Sequence, residues 1–176
     1  ISEKLPPENL ARLLNNYLSE MSSIIFTNDG VLDKFIGDGI MAFWNAPIAT
    51  PDHAFLACKT ALEMSKKVQF ISKEWTKYGI KDFDIRIGIN TGEAIVGNMG
   101  SSQRFDYSAL GDSVNIASRL EGANKEFKTH IIISQSTYEL VKDKVKAKRL
   151  GEITVKGKTK KVVVYELNSL SGQRLN

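Results

Sequence analysis

Two kinds of hydrophobic periodicity alternate along this chain, and that alternation restricts it to a mixed fold. Leu10, Leu13, Leu14, Tyr17, Leu18 and Met21 recur at the spacing of one apolar helix face, and Pro7 suits a first helical turn. After turn chemistry at Asn28-Asp29-Gly30, Val31–Ile36 and Ile40–Trp44 read as two short strands around Gly37-Asp38-Gly39, a tight hairpin with an aspartate near its tip. A second helix is signalled by Thr50 as N-cap, Pro51 at the first helical position, and small or apolar residues from Ala54 to Val68 at helical spacing. It runs to about Tyr78 and stops at Gly79.

Further on, Phe83, Ile85, Ile87 and Ile89 alternate with polar or small residues as a half-buried strand does. Glu93–Gly97 follows Thr91-Gly92 closely enough to form a hairpin with it. Residues 98–110 have no period and read as a loop or extended arm. Gly111-Asp112-Ser113 opens a helix through Leu120 that Gly122 closes. Ile131–Ile133 is a short buried strand, Ser134 caps a helix to about Lys142, and Val145–Val155 and Val162–Leu167 are strands. The tail from Asn168 is expected to fray. These elements predict an α+β fold with helices on one face of a largely antiparallel sheet, suited to a ferredoxin-like βαββαβ core with additions.

Composition narrows the classes. The 176 residues suit one domain, and 42% hydrophobic with 25% charged residues can bury an ordinary core, which excludes disordered and low-complexity chains. A single cysteine, Cys58, excludes a disulfide scaffold, and no apolar run is long enough to span a membrane. The net charge of +4 is too mild to imply nucleic acid. It is unevenly placed: residues 125–161 carry 11 Lys/Arg and 4 Asp/Glu, leaving the remainder net negative. A phosphate-rich ligand would favour that basic stretch, although a solvated lysine face has the same composition. The first residue is Ile1, not methionine, so the sequence reads as a piece of a larger protein.

Three segments can carry chemistry. In Asp33-Lys34-Phe35-Ile36-Gly37-Asp38-Gly39, the flanking glycines leave the Asp38 carboxylate uncrowded and able to reach a hard cation, although Gly-Asp is also common turn chemistry. Asn115 and Arg119 are four apart on a predicted helix and share a face. They offer an amide for a sugar oxygen and a guanidinium for phosphate, or else a plain polar stripe. Lys156-Gly157-Lys158 can deliver ammonium groups to a polyphosphate or serve as a soluble turn.

Taken in order, Lys34-Phe35-Ile36-Gly37-Asp38-Gly39, Ile87-Gly88-Ile89-Asn90-Thr91-Gly92, Gly97-Asn98-Met99-Gly100, Gly111 through Glu121, and Val155-Lys156-Gly157-Lys158 resemble the catalytic domain of the class III nucleotide cyclases. The resemblance covers residues 1–167 as one domain and leaves 168–176 as a tail. It implies that Asp38 is one of two metal-binding aspartates, that Asn115 orients the ribose, that Arg119 meets the phosphates in the transition state, and that Lys156 meets the triphosphate. At the two base-selecting positions, Lys34 matches adenylyl cyclases, where guanylyl cyclases carry an acidic residue. Ser108 matches the hydroxyl-bearing bacterial and soluble branch, and a hydroxyl permits adenine without enforcing it.

The resemblance further implies two metals, Mg²⁺ or Mn²⁺, per complete site, with ATP as substrate and cyclic AMP and pyrophosphate as products. It also implies sites between the two chains of a head-to-tail homodimer, with Lys34 and Asp38 of one subunit facing Ser108, Asn115 and Arg119 of the other and residues 98–110 as the dimerisation arm. The location expected is cytoplasmic, with regulatory or membrane domains upstream in the parent. The family's other metal aspartate lies on a first strand that precedes the segment matched by Ile1-Ser2-Glu3. This chain is therefore expected to lack that strand and to be weakly active or inactive by itself. The rivals are a guanylate cyclase and a non-catalytic dimerisation or nucleotide-sensing module. The absence of a Gly-Gly-(Asp/Glu)-Glu-Phe run speaks against a diguanylate cyclase.

Overall fold

The computed structural model describes residues 6–101, 103–154 and 161–172. The order begins with helix α1 (Pro7–Thr27), the β1 (Val31–Ile36) and β2 (Gly39–Phe43) hairpin, and helix α2 (His53–Trp75), which a 3₁₀ turn over Thr76–Tyr78 extends. Next come β3 (Ile87–Ile89), β4 (Ile95–Ser101), β5 (Arg104–Leu110), α3 (Asp112–Phe127), β6 (Ile131–Ser134), α4 (Gln135–Val141), β7 (Val145–Thr154) and β8 (Lys161–Leu170). The α+β class holds, and α1-β1-β2-α2-β3 follows the βαββαβ order from its first helix onward. Strands β3-β6-β8-β7 form one sheet, antiparallel except for β3 with β6, while β1-β2 and β4-β5 are separate two-stranded ribbons.

The long helix α2 joins two cores. Its N-terminal half packs Ala54, Cys58 and Ala61 against Ile131, Ile133, Val145 and Leu167 of the sheet. Its C-terminal half packs Val68, Ile71 and Trp75 against Leu13, Tyr17 and Met21 of α1. Strand β6 is buried at every position, and alternation sends Ile132 to the opposite side, where it meets Leu120 and Ala123 of α3 and Val164 of β8. Helices therefore cover both faces of the four-stranded sheet, where one face was expected.

Several local expectations change. Of the two readings of residues 98–110, a loop or an extended arm, the arm holds: its described residues complete the β4–β5 ribbon, in register from Ile95↔Leu110 to Ser101↔Arg104. The expected hairpin of the 83–89 strand with 93–97 does not form, because β3 pairs parallel with β6. Only Ile87–Ile89 is strand there. Phe83 instead lies against Trp75 and Tyr17, at ring-centroid distances of 4.3 and 5.3 Å. Helix α2 starts at His53, not at Pro51, with Asp52 as N-cap. Thr50 is occupied upstream, where its N–H donates to Asn45 Oδ1 and its hydroxyl to the Ile48 carbonyl. Helix α3 continues past Gly122 because Ala123 and Phe127 extend its apolar face, and it ends at left-handed Lys128. Strand β8 persists to Leu170, paired with Val145, so the chain does not fray from Asn168.

Gly88 positions the site. A Cβ there would stand 2.2 Å from the Ala117 carbonyl oxygen and 2.2 Å from the Glu121 nitrogen, so the backbone of α3 rests directly on β3. Buried Asn124 locks the contact: its amide donates to the Ile87 carbonyl at 2.9 Å, and its oxygen accepts from Thr129 Oγ1 at 2.8 Å. The N-terminus of α3 is tied down in the same way, with Asn90 Nδ2 donating to the Ser113 carbonyl and Ser113 Oγ donating to the Glu93 carbonyl.

Candidate active site

Asp38 sits at the exposed tip of the β1–β2 hairpin, after Gly37 in the left-handed region at φ 64°. Its charge reaches Tyr17 on α1: burial first, and the Asp38 charge second, push the Tyr17 phenol up to about 12. Asn115 is exposed and Arg119 half-buried on α3, on one face by their i, i+4 spacing, with Leu120 turned into the core. Lys156 lies outside the described residues.

The structure brings Lys34 and Ser108 together on Asp33. The β1–β2 register slips between Leu32 and Lys34, making Asp33 the extra residue of a β-bulge. Its side chain is fully buried. Asp33 Oδ2 accepts from Ser108 Oγ at 2.6 Å and from the Ala109 N–H at 3.2 Å, stitching β1 to β5. Oδ1 has the Lys34 ammonium 3.3 Å away as an ion pair but receives no hydrogen bond. Lys34 itself is exposed over 41% of its side chain, while Ser108 is buried. Lys34 and Ser108 thus meet within one chain, which alters the expected division that set them on opposite subunits. Sequence reasoning missed Asp33 in this role, although a carboxylate inside the apolar run Val31-Leu32-Asp33-Lys34-Phe35-Ile36 is a visible anomaly.

For a metal, Asp38 fits in one respect: an exposed carboxylate suits a hard cation. Among the described residues, however, no group of three or more His, Cys, Asp or Glu side chains gathers as a metal site.

Residues 1–169 match the family model described as the adenylate and guanylate cyclase catalytic domain. The chain belongs to this family. The cyclase domain is 38% identical over 167 residues to adenylate cyclase 1 of Rhizobium meliloti (strain 1021), covering 95% of this chain and 25% of that protein. The chain thus spans a quarter of that relative's length. Among solved structures it resembles the adenylyl cyclase CyaB from P. aeruginosa, with TM-score 0.87, 39% identity, and 96% of this chain and 86% of that one covered. It also resembles the guanylyl cyclase Cya2, with TM-score 0.88, 33% identity, and 97% and 86% covered. Neighbours of both kinds share the fold, so the base is chosen by side chains and not by architecture. No helix among the described residues of the cyclase domain is long and apolar enough to cross a membrane.

Proposed function

We propose that this domain is the catalytic part of an adenylate cyclase that converts ATP to 3′,5′-cyclic AMP and pyrophosphate. The observation that carries the reading is the meeting of Lys34 and Ser108 on Asp33, beside a helix that presents Asn115 and Arg119 on one face. The ribose 3′ oxygen attacks the α-phosphorus, the bond to the pyrophosphate oxygen breaks, and the 3′-hydroxyl proton leaves with solvent. Asn115 holds the ribose by its amide. The Arg119 guanidinium offers forked donors to oxygens whose charge grows in the transition state. Lys34 and Ser108 face the base, and Lys156 reaches the triphosphate. Divalent cations, Mg²⁺ or Mn²⁺ and two per complete site, held in part by Asp38, would supply Lewis-acid activation of the 3′ oxygen and of the leaving group.

The active form is a head-to-tail homodimer in which Asp38 of one chain meets α3 of the other. This is supported by exposed apolar side chains on the two ribbons: Phe35 and Ile36 on β1, and Ile95, Phe105 and Leu110 on β4–β5. With ATP as its substrate, the domain works on the cytoplasmic side, beside whatever regulatory or membrane domains the parent carries. Nothing in the charge pattern calls for nucleic acid. Guanylate cyclase is the second reading, because a guanylyl cyclase is a close structural neighbour. The test is turnover of ATP and GTP with Mg²⁺ or Mn²⁺, by residues 1–176 and by a chain extended upstream by one strand. The reading expects cyclic AMP from ATP as the main product. A large GTP preference overturns the choice of adenine, and no cyclic nucleotide from the folded protein overturns the activity.

A further inference from the structure

Asp33 has more acceptor capacity than the domain uses. A carboxylate only accepts hydrogen bonds, and Oδ2 already takes the hydroxyl proton of Ser108 and the Ala109 N–H. Among the described residues, buried Oδ1 receives no hydrogen bond and pairs with the Lys34 ammonium at 3.3 Å. A buried carboxylate oxygen left in this state is costly unless some other group completes it. Lys34 is the most exposed member of the trio, on a flexible four-carbon stem.

Adenine presents to such a site an acceptor, ring N1, beside a donor, the 6-amino group. Guanine presents the reverse, an N1–H donor beside the 6-oxygen acceptor. If Lys34 turns from Oδ1 to N1 of adenine, Oδ1 loses its counter-charge at the moment the neighbouring amino group arrives. With guanine the 6-oxygen would face a carboxylate and the N1–H an ammonium, both mismatched. Ser108 cannot make this choice by itself, because its single proton is already given to Asp33 and its residue is 1% exposed. We propose that Asp33 is the acceptor that reads the 6-amino group of adenine, held in place by Ser108 and uncovered when Lys34 moves to the base. This rests on the base site proposed above.

The test uses the upstream-extended chain with Mn²⁺. It compares the parent with D33N, S108A, K34A and the exchange variant D33S/S108D. Three quantities are read: the ATP:GTP ratio of kcat/KM, the ratio of equilibrium affinities for 3′-deoxy-ATP and 3′-deoxy-GTP, which cannot cyclise, and thermal unfolding. The amide introduced by D33N can place an N–H donor where Oδ1 stood, so this variant should lower both ratios by at least about tenfold, toward GTP. S108A, which leaves the acceptor in place but loosens it, should lower them less. D33S/S108D should return them to within about threefold of the parent, since a carboxylate again faces the amino group. A D33N ratio unchanged while K34A shifts it, or a larger loss in S108A than in D33N, overturns the assignment. If D33N fails to fold, the exchange variant decides, and one that neither folds nor prefers ATP also overturns it. If K34A, D33N and S108A all leave the ratios unchanged, the base site itself is misplaced, which is a distinguishable outcome.

Discussion

Replacing Gly88 by alanine probes the link between packing and catalysis in this domain. The added Cβ would lie 2.2 Å from two backbone atoms of α3, whereas ordinary contact begins at 3.4 Å, so the helix must retreat by about 1.2 Å. Backbone cannot rotate away as a side-chain tip can, so the strain is shared between β3 and α3. Overpacking of this kind costs about 1–3 kcal/mol. For a domain of this size that lowers Tm by roughly 2–12 °C. The displaced helix carries Asn115 and Arg119, and a misplacement of about 1 Å at a reacting centre costs on the order of 100-fold in rate. Gly88→Ala should therefore lose far more activity than its stability loss explains at a temperature where it is fully folded. Gly122→Ala is the control: nothing lies within 4 Å of its Cβ, and alanine in a helix gains up to about 1 kcal/mol. Differential scanning calorimetry and initial rates on the two variants settle it. A Gly88→Ala protein with unchanged Tm and turnover would refute the claim that β3 sets the position of α3.

Arg119→Ala should lower kcat by about 100- to 1,000-fold, with Arg119→Lys recovering little because the planar fork is lost; steady-state kinetics check both. Burial pushes the Cys58 thiol up to about 12 from an ordinary 9. The folded state therefore holds its proton more tightly than the unfolded one, and stability falls as pH rises from about 9 toward 12. Cys58→Ala should flatten part of that alkaline decline in urea titrations, and Cys58 in the native protein should resist thiol reagents until unfolding. Phe105→Glu, on the exposed face of β5, should leave the fold intact but convert dimer to monomer in sedimentation analysis and abolish turnover.

How much was legible in the sequence follows from which elements are one-sided. Helix α1, the β1–β2 hairpin, β6 and α4 could be read because each has a sharp apolar face or cap: Leu13, Tyr17 and Met21 in α1, and Ser134 Oγ accepting the Thr137 N–H at the start of α4. The β4–β5 ribbon was legible only in part, as a short strand at 93–97 and a loop or extended arm over 98–110. Ile95 and Phe105 are exposed, so no inside-outside alternation marks its strands. The partner of β3 was hidden as well, because parallel pairing with β6 spans more than forty residues and leaves no turn to signal it. Asp38, Asn115 and Arg119 stood out through motif and spacing. Asp33 did not, because its significance arises from a bulge and from Ser108, 75 positions away in sequence.

The proposed activity turns on what the domain makes from which nucleotide. Incubating the upstream-extended chain with equal ATP and GTP in the presence of Mn²⁺, and separating the cyclic products, measures this in one reaction. Cyclic AMP should appear in at least about tenfold excess over cyclic GMP, and Arg119→Ala should lower its rate of formation by about 100- to 1,000-fold. Cyclic GMP as the main product, or no cyclic nucleotide from a folded dimer, would contradict the proposal.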